Sequence, residues 1–128
     1  MVSVLACDRV SRIRQCAGLV DAVNGSMRGI GLAAGNESLE QGLVSNADRY
    51  VALAQQLGPM EFNDKQMALD VEAFRRLLMR AAELCEKLRA AVQSNERAQA
   101  ALLGRELEAL EGPMKASAHK MNTWCQER

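Results

Sequence analysis

Apolar residues recur at alternating steps of three and four along the middle of the chain, a pattern typical of one face of a long helix. Leu77, Leu84 and Ala91 widen this stripe on one side, which favours a helix packed against more than one neighbour. Because the steps alternate regularly, the stripe is a heptad seam. Its members are Val71, Phe74, Leu78, Ala81, Cys85, Leu88 and Val92.

The start of this helix carries its own signals. Asn63 is followed three residues later by Gln66, so the pair matches a capping box. Phe62 and Met67 are placed to form a hydrophobic staple across the cap. We therefore predict that Asn63 caps the helix.

A second stripe precedes the seam. Ser38 and Gln41 match another capping box, and Gly58-Pro59 is a typical C-terminal stop. Because the connection to the next helix is short, we expect the two helices to pack antiparallel. The predicted buried face consists of Leu39, Leu43, Ala47, Tyr50, Ala54 and Leu57.

The first 35 residues also show steps of three and four, but glycines interrupt them. Each glycine inside a helix costs about 1 kcal/mol relative to alanine. We predict a helix from about residue 4 to the mid-twenties and a weaker continuation to about residue 34. The glycines either permit close helix approach or leave this part soft until a partner orders it. The stripe is Ile13, Cys16, Val20, Val23, Met27, Ile30 and Ala34, and the glycines are Gly18, Gly25, Gly29, Gly31 and Gly35.

The apolar pattern changes phase after Val92. The slip favours a turn near Ser94-Asn95, where either residue could cap a new helix. The alternative is one helix from residue 64 to 111, roughly 70 Å long at 1.5 Å per residue. Gly112-Pro113 then kinks or restarts the final helix. The new stripe is Leu103, Leu107, Leu110, Met114, Ser117, Met121 and Trp124.

Together these segments predict a single all-α domain over residues 1–128. We expect an antiparallel bundle of three to four helices, with a glycine-rich N-terminal helix in 1–35 and an amphipathic C-terminal helical arm in 96–128. Strong helix formers dominate the composition, and only two prolines occur. The chain has four aromatic residues, Tyr50, Phe62, Phe74 and Trp124.

Charge and cysteine usage narrow the classes of function. The formal net charge is zero, whereas nucleic-acid binders carry a surplus of Lys and Arg. No run of about 20 apolar residues predicts a membrane span, and Asp8 and Arg9 come too early for a signal peptide. The cysteines form no C-x-x-C motif. We therefore expect a cytoplasmic protein with free thiols, in which Cys85 acts as a small buried hydrophobe.

The C-terminal stretch "EGPMKASAHKMNTWCQER" contains the only histidine, His119. A metal site needs several converging ligands, and a di-iron bundle needs Glu-x-x-His pairs, but Ala116 stands at that spacing. His119 is therefore predicted to be a surface or boundary residue. No nucleophile elbow or phosphate-binding loop is present, so we predict no metal, no cofactor and no enzymatic activity.

The C-terminal stripe has two interpretations. A Met/Leu stripe at helical spacing is typical of ordinary core. Methionine also adapts to varied partner helices, and tryptophan is a favoured interface anchor. Arg105, Glu108 and Lys115 would then supply specificity from the flanks. The predicted partner-binding residues are Leu103, Leu107, Leu110, Met114, Met121 and Trp124.

Two stretches resemble a known family. "NERAQAALLGRELEALEGPMKAS" and "FRRLLMRAAELCEKLRAAV" are similar to the last two helices of small all-helical bacterial flagellar and type III secretion export chaperones. The resemblance implies no catalysis and a C-terminal amphipathic helix that binds a helical segment of a substrate or a component of the secretion machine. The alternative is a self-assembling structural subunit, with the seam from Val71 to Val92 lying between copies.

Overall fold

The structure, a computed structural model, describes residues 13–25 and 39–126. Within these ranges every regular element is a helix. Residues 13–25 are labelled α1, and the others are α2 (Leu39–Leu57), α3 (Lys65–Gln93), α4 (Arg97–Ala109) and α5 (Glu111–Gln126). The predicted all-α helical bundle is therefore confirmed. None of the helices in the described ranges is long and apolar enough to cross a membrane.

The helices α2 and α3 form an antiparallel pair. Leu57, at the end of α2, shares a core cluster with Met67, near the start of α3. Leu43, early in α2, shares another with Cys85, in the second half of α3. The antiparallel packing follows from the short connection between the two helices. Helix α2 stops at Gly58, whose N–H donates to the Ala54 carbonyl at 3.0 Å.

The predicted face of α2 is correct except at its first position. Leu39 is 64% exposed, because it lies at the N-terminal end of the helix, ahead of the first buried position, Leu43. Leu53, which the stripe omitted, is fully buried beside Ala54. The buried face is therefore wider than the predicted one. Ser38, the predicted cap, lies outside the described residues.

The cap of α3 is Asp64, so the prediction of Asn63 was wrong by one residue. The Asp64 carboxylate accepts a hydrogen bond from the N–H of Met67 at 2.9 Å. Gln66, the predicted capping-box partner, instead donates to the side chain of Asp70 at 3.0 Å. Both Asn63 and Asp64 are residue types that cap helices, and only the backbone geometry selects between them.

The seam of α3 is the centre of the core, as predicted. All seven positions are buried or half-buried, and Phe74 and Leu78 are almost completely enclosed. Leu84 and Ala91 are buried on the side that faces α4, where they cluster with Leu103. The seam is thus filled by helices of the same chain.

A turn over residues 94–96 separates α3 from α4, so the prediction of a turn here is confirmed and the single long helix is wrong. Asn95 has a φ of 57°, a left-handed conformation that asparagine tolerates better than most residues. Ser94 ends α3, with its N–H bonded to Ala90 at 3.0 Å. Neither Ser94 nor Asn95 caps α4, which begins after Glu96 without a side-chain cap.

The helices α4 and α5 form an arm that runs back along α3. They meet at Leu110, which keeps a right-handed helical conformation, and the N–H of Met114 donates to the Leu110 carbonyl at 2.9 Å. The break therefore lies just before Gly112-Pro113, close to its predicted place. Arg80 of α3 pairs with Glu106 of α4 at 3.3 Å, which adds a polar link to the apolar packing.

Helix α1 is anchored by Leu19, which is 2% exposed and belongs to the main core cluster. The predicted stripe omitted Leu19 and included Ile13, which is 64% exposed. The face of α1 that contacts the core therefore carries Leu19 and Ala22, and Ile13 lies outside it. Among the described residues, no atom outside the local backbone lies within 4 Å of a Cβ built on Gly18 or Gly25, so these two glycines do not bring another described helix close. The predictions for residues 4–12 and 26–34 lie outside the described residues.

Candidate partner-binding groove

Two adjoining grooves run along the arm, and we call them the latch groove and the inner groove. The latch groove, about 470 Å³, lies between α1 and α5 and is lined by Leu19, Val20, Met121 and Cys125, among others. It is bordered by polar side chains, among them His119 and Lys115. Residues of α1 and of α5 line this groove together.

The inner groove, about 370 Å³, lies farther along the arm. Its floor is apolar and consists of residues of four different helices. Its rim carries Glu108, Glu111 and Lys115. The two grooves share three lining residues and therefore form one continuous surface. The floor residues are Tyr50, Phe74, Leu107 and Met114, and the shared residues are Val23, Lys115 and Ala118.

The rim has a defined charge pattern. The Lys115 ammonium lies 2.9 Å from the Glu111 carboxylate, one helical turn away. This hydrogen bond holds the pKa of Glu111 below its ordinary value. Glu108 is exposed and has no ion-pair partner among the described residues. The rim therefore leaves one carboxylate able to receive a cationic side chain.

A disulfide joins Cys16 to Cys125, which forms part of the wall of the latch groove. It joins α1 to the last turns of α5, with the two Cα atoms 5.6 Å apart. The prediction of free thiols is therefore wrong for this pair. A separation of 109 residues hides the pairing from local sequence patterns, because a disulfide depends on the distance between Cα atoms in space. Cys7 lies outside the described residues.

Cys85 is the free cysteine of the described residues, and its predicted role as a buried hydrophobe is confirmed. It is 1% exposed and packs with Leu43 and Ala47. Burial raises the pKa of its thiol to about 11, with a smaller contribution from the nearby Glu86 carboxylate. Since the thiolate is the reactive form of cysteine, this thiol is inert at neutral pH.

The six predicted partner-binding residues all pack on the chain's own core. Leu103, Met114 and Met121 are buried, and the other three are half-buried against the same clusters. Three of the six also line the grooves. These are Leu107, Met114 and Met121. The stripe thus serves as core along most of its length and reaches the surface at the groove floors.

The structure shows which groove residues the sequence interpretation missed. Ala118, which lines both grooves, lies outside the predicted C-terminal stripe. Leu19 was outside the predicted stripe of α1. The signal for Leu19 is its spacing from Cys16 and Val23, three before and four after, which is the same periodicity that marked the other helices.

The remaining predicted features of the C-terminal stretch can also be placed. His119 is exposed at the edge of the latch groove. Trp124 is half-buried against the main core cluster. Across residues 13–25 and 39–126, no three His, Cys, Asp or Glu side chains are grouped closely enough to hold a metal ion.

Comparison of the chain with protein-family models, curated proteins and solved structures gave no significant match. The resemblance to export chaperones therefore stays a prediction.

Proposed function

We propose that this chain is a non-enzymatic protein-binding module that holds an amphipathic helix of another protein along the two grooves. The observation that carries the proposal is the continuous apolar surface centred on Val23 and Ala118. Helix-in-groove binding needs such a surface, in which the apolar face of a partner helix is removed from water. The grooves measure about 470 and 370 Å³, the size range of sites that enclose several side chains.

The rim charges favour a particular kind of partner helix. Glu108 and Glu111 border the inner groove, and only Glu111 has a cationic neighbour there. A partner helix with Lys or Arg beside its apolar face would complement this edge. Such charges act more on specificity and encounter than on raw affinity.

The resemblance to flagellar and type III export chaperones gives the proposal its finer form, a small cytoplasmic bacterial chaperone that sequesters a helical segment of an export substrate. The alternative, self-assembly through the seam of α3, loses support because that seam is filled by helices of the same chain. Self-association through other surfaces is an outcome that the experiment below distinguishes.

The test is affinity capture from the native cell with groove-filling variants. Ala118→Trp places a large side chain where the two grooves join. Ala116→Trp places the same side chain at an exposed position of the same helix and serves as the matched control. We expect one stoichiometric partner that is retained by Ala116→Trp and lost with Ala118→Trp, while both variants keep their helical circular dichroism.

Two results would contradict the proposal. The captured proteins could be unaffected by Ala118→Trp, which would mean that the groove is not the binding site. Alternatively, light scattering could show a stable oligomer of this chain with no other protein bound, which would favour the structural-subunit alternative. If Ala118→Trp unfolds the chain, Glu108→Arg tests the rim instead, with Asp48→Arg on the exposed side of α2 as its control.

A further inference from the structure

Residues 13–25 contribute few buried side chains to the core. Within residues 13–25, Leu19 is the single fully buried side chain, and Ala22 and Val23 are partly buried against the same cluster. By contrast, α3 places nine buried residues against its neighbours. The apolar contribution of α1 to the core is therefore small.

The sequence of α1 also makes it a weak helix. Gly18 and Gly25 lie within it, and neither one brings another described helix close. Glycine in a helix interior is unfavourable relative to alanine, and most helical stability in proteins comes from tertiary packing. We therefore expect the disulfide at Cys16 to be a main attachment of α1 to the rest of the bundle.

The disulfide is reachable from solvent. Both cysteines are half-buried, and Cys125 lines the open latch groove. Thiol–disulfide exchange requires the attacking thiolate to approach a sulfur atom, and this groove offers a path to it. Cys85 is enclosed in a separate cluster and does not compete for the exchange.

We propose that the Cys16–Cys125 disulfide is a redox latch that holds α1 on α5. A small dithiol attacks one sulfur and forms a mixed disulfide, and its second thiol then displaces the remaining protein sulfur. Two protein thiols form, the Cys16–Cys125 bond is reduced, and the dithiol is oxidised to its own disulfide. Once the bond is open, α1 leaves the bundle and uncovers the face of α5 that carries Ala118 and Met121.

The latch concerns the conformation of the chain itself and does not depend on the proposed function. If the grooves bind a partner, however, the latch controls one of their walls, because Leu19, Val20 and Val23 all come from α1. Opening would then change the affinity for that partner.

Hydrogen exchange read by mass spectrometry tests the latch without any partner. The oxidised chain, the chain reduced with dithiothreitol, and the Cys16→Ser/Cys125→Ser variant are compared peptide by peptide. We expect the amides of 13–25 to exchange at least ten-fold faster, relative to the amides of α3, in the reduced chain and in the variant than in the oxidised chain. Dithiothreitol should have no further effect on the variant, which controls for other actions of the reductant.

Three results would overturn the proposal. Non-reducing peptide mapping could show no Cys16–Cys125 linkage in the oxidised chain. The exchange of 13–25 could be the same in all three samples, in which case noncovalent packing is sufficient to hold α1. Protection could also fall by the same factor in 13–25 and in α3, which would make the disulfide a global staple of the fold and not a local latch.

Discussion

Cys16 and Cys125 form a disulfide that ties α1 to the end of α5, across a separation of 109 residues. It joins the first described helix to the last, and its Cys125 lines the groove that the two helices border. Most disulfides persist in oxidising compartments, and those of the cytosol are usually transient. The predicted cytoplasmic location is compatible with this bond if the bond is reversibly reduced and re-formed, as the proposed latch requires.

Breaking the disulfide should lower the free energy of unfolding. A cross-link over a long loop restricts the unfolded chain and typically contributes about 2–4 kcal/mol. We expect a loss of this size in Cys16→Ser/Cys125→Ser, measured by urea unfolding under non-reducing conditions. Reduction of the wild-type chain should give the same loss, and reduction of the variant none. Equal stability of the oxidised wild type and the variant would contradict the assigned pairing.

Two leucines of α3, one buried in the seam and one exposed, test whether the seam forms the core. Leu78 is fully buried, whereas Leu69 is 64% exposed. Truncating a buried leucine to alanine removes apolar contacts and leaves a cavity, at a cost of roughly 2–5 kcal/mol. We expect that loss for Leu78→Ala and a change within about 0.5 kcal/mol for Leu69→Ala, both from chemical denaturation. Similar losses at the two positions would mean that the seam does not form the core.

The cap of α3 can be tested at Asp64. Its carboxylate accepts from the N–H of Met67, so Asp64→Ala should cost about 0.5–2 kcal/mol of stability. Asp64→Asn keeps a capping side chain and should restore most of that loss. Thermal or urea unfolding of the two variants measures the difference. If alanine and asparagine are equivalent there, the helix is capped elsewhere.

Cys85 should make the stability of the chain depend on pH in the alkaline range. Burial raises the pKa of its thiol to about 11, above the ordinary value. Between the two values the thiol is protonated in the folded chain and ionised in the unfolded chain. Stability is therefore fully present below about pH 9 and falls as the pH rises toward 11. Burial also raises the pKa of Tyr50, which acts in the same direction.

Unfolding free energies measured in this range for wild type and Cys85→Ala isolate the thiol. We expect the variant to be less stable at neutral pH, because a buried atom is lost, but to show a shallower decline as the pH rises. An unchanged slope would assign the whole decline to other groups, Tyr50 among them.

The long helices could be predicted because their signals are local and repeated. The seam of α3 continues over seven positions, so a single residue beside it, such as Leu77, does not change the prediction of a helix. The cap was misplaced by one residue because Asn63 and Asp64 have nearly the same capping chemistry. The stop at Gly58 was predicted because Gly-Pro is a typical helix end, and the turn at Ser94-Asn95 was predicted because the apolar stripe changes phase after Val92.

The groove and its disulfide could not be predicted, because they depend on which helix packs against which. The spacing of Cys16 within its helix suggested only a core position. Its distance from Cys125 is set by the packing of α1 on α5 through Leu19, a contact that no local pattern specifies. The partner-binding interpretation of the C-terminal stripe likewise needed the structure to separate Leu107, Met114 and Met121, which line grooves, from the residues that only fill the core.

Site-specific photo-crosslinking in the native cell tests the central claim most directly. A photoreactive amino acid replaces Ala118 at the junction of the two grooves, and in separate samples it replaces Ala116 or Asp48 on exposed surfaces outside the grooves. If the groove holds a helix of another protein, position 118 should form a crosslink to one partner, mapped by mass spectrometry to an amphipathic helical segment, and the control positions should not. Crosslinks from position 118 only to a second copy of this chain, or the same crosslinks from all three positions, would contradict it.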